Sequence, residues 1–253
     1  MEIPRKSRRK DETLDSFYRG RILVFQKKRG FRFSVDAPLL ADFIRTEESD
    51  YLLELGTGCG IVSLLLSLKP FKHITALEIQ KSLVDLARRN VKLNNLQKRI
   101  TVIEADLRTF RAKRKYDVVF SNPPYIRKRE GHLCDSLQKS IAKHELKCDI
   151  FDVMQKTAEL MKEEGRAYFI FPLRRKEDFD RAVERVGIKI RALRHVVPRA
   201  GERANLFLAE CGFTSQKEIH FKPLILFDES GKYTEEAEQI FRGRVNAETH
   251  QES

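Results

Sequence analysis

The sequence predicts an α/β fold built on a doubly wound, mainly parallel sheet, and three observations carry that expectation. Short, continuous apolar runs such as YLLEL (51–55) and DVVF (117–120) alternate with segments whose apolar residues recur at helical spacing. A glycine-rich turn, ELGTGCG (54–60), stands where the first such run gives way to the first helical segment. Near the far end, two further runs are joined by PRAGERAN, short enough for antiparallel neighbours.

The elements follow in order. Residues 1 to about 14 read as a basic arm, and GRILVFQKKRGFRFSVDAPLLADFI (20–44) begins as a hairpin turning near Lys28–Gly30. A short helix follows Asp36, with Pro38 in its first turn, where a missing N–H costs nothing. Strands are then expected at 51–55, 73–79, 99–106 and 116–122, with helices at 61–69 and 80–96. IFDVMQKTAELMKEEG (150–165) reads as a helix stopped by Gly165, followed by a strand at 166–172. A helix at 175–187 and strands at 188–197 and 204–212 complete the pattern. The expected division is an arm, hairpin and short helix over 1–45, the main domain over 46–242, and a polar, disordered tail over 243–253.

With 49 Lys and Arg against 37 Asp and Glu, the formal net charge is +12, a field that favours a polyanionic partner. The longest apolar runs fall far short of a membrane span and no leader is read at the start, so a cytoplasmic location is expected. The four cysteines, at 59, 134, 148 and 211, have neither metal-knuckle nor redox spacing. No metal is expected; Cys148 and Cys211 read as small buried apolar groups.

Glycines at 56, 58 and 60 let backbone N–H groups approach a ligand. A phosphate-binding P-loop would end in GK[ST], whereas this turn runs on into Ile61 and Val62; the dehydrogenase fingerprint wants its third glycine where Ile61 stands. Glu78, ending the second strand of the alternating series, is placed to accept hydrogen bonds from a ribose diol, and Asp106, ending the third, to meet an adenine edge. Turn and acids together outline an adenosine site whose ligand need not carry phosphate.

ELGTGCG, the acid in ALEI, the acid in EADL and SNPPY (121–125), in that order, resemble the class I S-adenosylmethionine-dependent methyltransferases over roughly residues 30–212. The resemblance implies a seven-stranded, Rossmann-like sheet whose last hairpin is antiparallel. It implies S-adenosyl-L-methionine as cofactor, with Glu54, Gly56, Thr57, Gly58 and Gly60 around the methionine part, Glu78 on the ribose, Asp106 on the adenine and Asn122 also among the cofactor-binding residues. GFRFSVDAPLLADF (30–43), KHELKCDIFDVM (143–154) and FDESGKYTEEAEQIF (227–241) are similar to the bacterial methyltransferases that modify an adenine beside the anticodon of a valine tRNA. In that family the aspartate matching Asp36 lies beside the methionine end of the cofactor.

NPPY closes the fourth strand with two residues that lack a backbone N–H and restrict their predecessors. Such a stiff turn suits a flat, NH2-bearing target whose lone pair is delocalised. The Asn122 side-chain oxygen and the Pro123 carbonyl would accept its hydrogens, each contact worth about 2–4 kcal/mol. Pro124 stiffens the turn, and Tyr125 offers a stacking face worth about 1–3 kcal/mol. The motif leaves three targets open: adenine N6, guanine N2 of ribosomal RNA, and a glutamine side chain of a translation factor. The short segment before the glycine turn favours RNA, since the glutamine-modifying enzymes carry a helical domain there.

Residues 126–143 read as a basic lid over a flipped base. Clusters at Arg5–Lys10, Lys27–Arg29, Arg127–Arg129 and Arg174–Lys176 are candidate phosphate contacts, while Phe31 and Phe33 suit a half-buried hairpin face. His144 reads as a loop or cap residue. The expected activity is methylation of an adenine N6 in RNA, foremost tRNA, by a monomer. A non-catalytic RNA-binding protein is the competing class, disfavoured by intact Asn122 and Tyr125.

Overall fold

The computed structural model describes residues 9–28, 35–123, 148–214 and 217–243. A two-stranded hairpin, β1 (Glu12–Phe17) and β2 (Ile22–Lys27), precedes helix α1 (Asp36–Phe43). Then follow β3 (Tyr51–Leu55), α2 (Ile61–Leu66), β4 (His73–Glu78), α3 (Lys81–Leu93), β5 (Ile100–Glu104) and β6 (Tyr116–Ser121). The second half comprises α4 (Ile150–Leu160), β7 (Met161–Pro172), a 3₁₀ turn at Leu173–Arg175, α5 (Lys176–Arg185), β8 (Lys189–Arg199) and β9 (Leu206–Gly212). Two short strands, β10 (Ile219–His220) and β11 (Leu224–Phe227), and helix α6 (Glu235–Arg242) close the described chain.

The main sheet has the order β10-β8-β9-β7-β6-β3-β4-β5, with β11 also on β8. Its seven long strands match the expectation, and β10 and β11 are additions on the β8 edge. Among the described strands of this sheet β9 alone runs antiparallel, wedged between β7 and β8. Strand order reverses at β3: β4 and β5 lie on one side, β6 and β7 on the other. That reversal opens a crevice at the carboxyl edge between β3 and β6.

Why the strands read as unbroken apolar runs is plain from their two faces. Leu52, Ala76, Val118 and Tyr168 point into one core with the hairpin, α1, α2, α3 and α6. Leu53, Leu77, Val119 and Phe169 point into the other with α4 and α5, where Phe179 meets the rings of Phe169 and Phe207 edge-on. With both faces covered, polar alternation has no place.

Two boundaries differ from expectation. The hairpin turns at Tyr18–Gly20, where all three residues have positive φ, and its first strand begins inside the stretch expected as arm. Its anchor is Glu12, wholly buried, which receives two hydrogen bonds from Arg89 of α3 at 2.6 and 2.7 Å. Gly165 does not stop a helix. Helix α4 ends at Leu160, and Met161 already pairs with Tyr116; the ladder then skips to Val118 opposite Arg166. A Cβ on Gly165 would stand 2.5 Å from Met161 Cγ, so close approach within this bulge requires the glycine.

Candidate active site

The glycine turn joins β3 to α2 at the reversal point. Gly56, Gly58 and Gly60 have φ of 77°, 59° and 88°, a left-handed run that side chains resist. Backbone N–H groups of Gly56 and Thr57 both donate to the Leu77 carbonyl, at 3.0 and 2.8 Å, which folds the turn back onto the end of β4. A Cβ on Gly56 would meet nothing within 4 Å, so the turn faces open space there.

Glu78 is buried at the end of β4, where one carboxylate oxygen accepts from Gly58 N–H at 2.9 Å and the other from Gln80 N–H at 2.8 Å. Turn and acid thus form one unit. Glu54, inside β3, accepts from the hydroxyls of Thr57 (2.6 Å) and Ser63. Burial pushes its pKa up to about 7; the two hydroxyls oppose that shift, and the neighbouring charge of Glu78 adds to it.

Asn122 directly follows β6. Glu54 is in register with Phe120, and Ser121 Oγ donates to the Leu55 carbonyl at 2.7 Å. Asn122 therefore stands beside the start of the glycine turn, half-buried, followed by buried Pro123. Asp36, also buried, opens α1, which packs on α2. Pro124, Tyr125, the lid at 126–143, His144, Phe31, Phe33 and Arg127–Arg129 lie outside the described residues.

Asp106 stands two residues past β5, and Arg108 embraces its carboxylate: Nε donates to both oxygens at 2.9 and 3.1 Å. The expected adenine-facing acid is thus already engaged by its own neighbour. Other expected contacts are also committed internally. Arg175 bonds Asp178, Lys176 bonds Asp180, Lys27 bonds Asp11 and Arg9 pairs with Asp85. Cys59 and Cys211 are buried, while Cys148 is half-buried.

One residue escaped the sequence reading. Asn90, fully buried on α3, accepts from Phe25 N–H at 2.7 Å and donates to the carbonyls of Phe25 (3.0 Å) and Cys59 (2.9 Å). One turn on, Asn94 pairs likewise with both backbone groups of Leu23. The available signal is that Asn90 falls in the apolar stripe with Leu83, Leu86 and Ala87.

Among the described residues no group of three potential metal ligands occurs, and no helix is long and apolar enough to cross a membrane. Residues 32–149 match the family of the methyltransferase small domain. Fold and family match together liken this chain to the methyltransferases of the class I fold. Within that class it is similar to proteins named tRNA1(Val) (adenine(37)-N6)-methyltransferase. The protein of that name from Phocaeicola vulgatus is 28% identical over 194 residues, 77% of this chain and 82% of the relative. That of a Flavobacteriaceae bacterium (strain 3519-10) is 28% identical over 162 residues, 64% and 68% of the two chains. Among solved structures, a predicted O-methyltransferase from Agrobacterium tumefaciens superposes with a TM-score of 0.65 at 21% identity, covering 83% of this chain and 97% of that one. Trm5 of Methanocaldococcus jannaschii, solved with adenosine, gives 0.59 at 16% identity over 82% and 57%. At these identities the structural likeness speaks for the fold alone.

Proposed function

We propose that this chain methylates the exocyclic N6 of an adenine in the anticodon-loop region of a valine tRNA, using S-adenosyl-L-methionine. The observation that carries the reading is the placement of Asn122 and Pro123 beside the glycine turn, in a chain whose relatives bear that name.

The cofactor supplies an electrophilic methyl group carried on a sulfonium. The residues present fit it. The open face at Gly56 admits a ligand against the backbone, with Thr57, Gly58 and Gly60 completing the cradle and Asp36 and Glu54 at its methionine end. Glu78, held against the glycine turn by Gly58 N–H, would accept from the hydroxyls of a ribose diol. Asp106 accepts the adenine amine of the cofactor once Arg108 yields part of its hold.

Asn122 and Pro123 accept the two hydrogens of the substrate amine and hold its nitrogen in line with the methyl group. Tyr125 stacks on the substrate base. An adenine already exposed in a loop lowers the cost of presenting it. The alkylated nitrogen is acidic, so its proton passes to solvent without a dedicated base.

The test is transfer of isotopically labelled methyl to unmodified total tRNA, followed by digestion and mass spectrometry of the nucleosides. Labelled N6-methyladenosine, mapped to the anticodon loop of a valine tRNA, is expected. Labelled N2-methylguanosine would overturn the base, and an absence of label in tRNA alongside label on a release factor supplied in a parallel reaction would overturn the substrate class.

A further inference from the structure

Beyond the site, the same edge of the sheet carries a second feature. Strand β7 overshoots β6: Ser121 is in register with Phe169, and β7 continues to Pro172, about 10 Å further at the usual rise per residue. Strands β9 and β8 rise with it, since Pro172, Leu206 and Val196 share one level and β8 runs on to Arg199. A wall therefore stands beside Asn122, and it belongs to β7, β9 and β8.

The crest of that wall is basic. Arg174 follows β7, Arg199 ends β8 and Arg203 lies in the loop to β9; all three side chains are exposed. Among the described residues none of them has an ion pair, in contrast to Arg175 and Lys176 beside Arg174, which bind Asp178 and Asp180. Glu202 is the acid within the loop, leaving the crest net positive. Three ladder steps separate β8 from β6, roughly 14 Å, the scale of a few nucleotides rather than one base.

We infer that Arg174, Arg199 and Arg203 form a phosphate-binding rim that holds the RNA backbone flanking the target nucleotide. The inference rests on the RNA reading above and deepens it. Guanidinium groups suit phosphate oxygens through paired donors, and such contacts position the substrate without reading its sequence. Their loops, braced by the Asn205 N–H to Val196 carbonyl bond (3.1 Å) and the Leu173 N–H to Asn205 carbonyl bond (2.9 Å), give the rim a fixed place relative to the pocket.

The experiment measures tRNA binding by the full chain against salt concentration. It compares the wild type, Arg174→Gln, the pair Arg199→Gln/Arg203→Gln, the triple variant, and Lys115→Gln on the opposite edge as control. Each lost phosphate contact should lower the slope of log affinity against log salt by about 1. The triple variant should therefore lose about 3 from its slope, with a raised KM for tRNA but unchanged cofactor affinity and thermal melting. The Arg→Lys triple variant should recover most of the slope. A triple variant with the wild-type slope overturns the rim while leaving the RNA reading intact. A wild type whose substrate binding ignores salt overturns both.

Discussion

The side-chain amide of Asn90 donates to the backbone carbonyl of Cys59 at 2.9 Å, and so ties helix α3 to the middle of the glycine turn. The same amide nitrogen reaches Phe25 of the hairpin, and the amide oxygen accepts that residue's N–H. One buried residue therefore links the N-terminal hairpin to the cradle proposed for the cofactor. Replacing Asn90 with Leu leaves three buried backbone groups without this partner, at a cost on the order of 3 kcal/mol. The variant should melt roughly 6–12 °C lower and bind S-adenosyl-L-methionine more weakly, read by calorimetry on the folded protein at low temperature. Unchanged cofactor affinity would show that the link is structural only.

Glu54 should make stability fall as pH rises. Its ordinary value of 4.5 applies in the unfolded chain, and burial lifts the folded value to about 7. Between the two, folded protein holds a proton that the unfolded chain has released, so unfolding gains ground with each unit and levels off above 7. Glu54→Gln keeps an acceptor for Thr57 and Ser63 and removes the titration. Melting temperatures from pH 5 to 8 should fall more steeply for the wild type than for this variant. Parallel curves would show that Glu54 is ionised throughout.

The hairpin anchor should behave in the opposite sense. Desolvation acts to raise the pKa of Glu12, yet Arg89 and the Arg9 N–H outweigh it and hold the carboxyl below its ordinary value. Its stabilisation is thus present above pH 4.5 and is lost as pH falls through the lowered value. Glu12→Gln removes the carboxylate that two Arg89 donors share, leaving Arg89 with the more distant Asp85 at 3.8 Å, and should cost about 2 kcal/mol near neutrality. That cost should shrink in acid, as measured by chemical denaturation at several pH values.

Asn122→Ala tests the chemistry directly. Loss of one transition-state contact should slow methyl transfer about 100- to 1,000-fold while cofactor affinity stays within a factor of about 2, since the contact is to the target amine. Equal losses in turnover and cofactor binding would show that the cofactor contact expected of Asn122 outweighs its contact with the target amine.

Much of this was legible because parallel strands covered on both faces leave a signature that needs no partner information. YLLEL and YDVVFS are such strands, and their order fixed where the glycine turn and NPPY would meet. The start of ETLDSF falls inside the stretch expected as arm because its buried residue is a glutamate, and the arginine that satisfies it is 77 positions away. Gly165 misled for a related reason: a glycine that ends a helix and one that admits a methionine side chain look alike until the neighbour is known. Strands β10 and β11 are too short for any periodicity to show. The engagement of Asp106 by Arg108 shows that a residue's place at a sheet edge does not say which of its lone pairs are already taken.

The wedge of β9 between β7 and β8 has a consequence for how the chain is made. Strand β8 leaves the ribosome before β9, yet nothing in the long-strand order lets it pair with β7. The edge of β7 therefore waits for Gly212, some 40 residues after Pro172, or roughly 2–8 s at ordinary synthesis rates. During that interval the nascent chain presents a bare, strongly apolar strand, AYFIF, to its surroundings. Synthesis halted before residue 206 should leave a species that chaperones hold and that aggregates when released, whereas a chain halted just after the emergence of Gly212 should not.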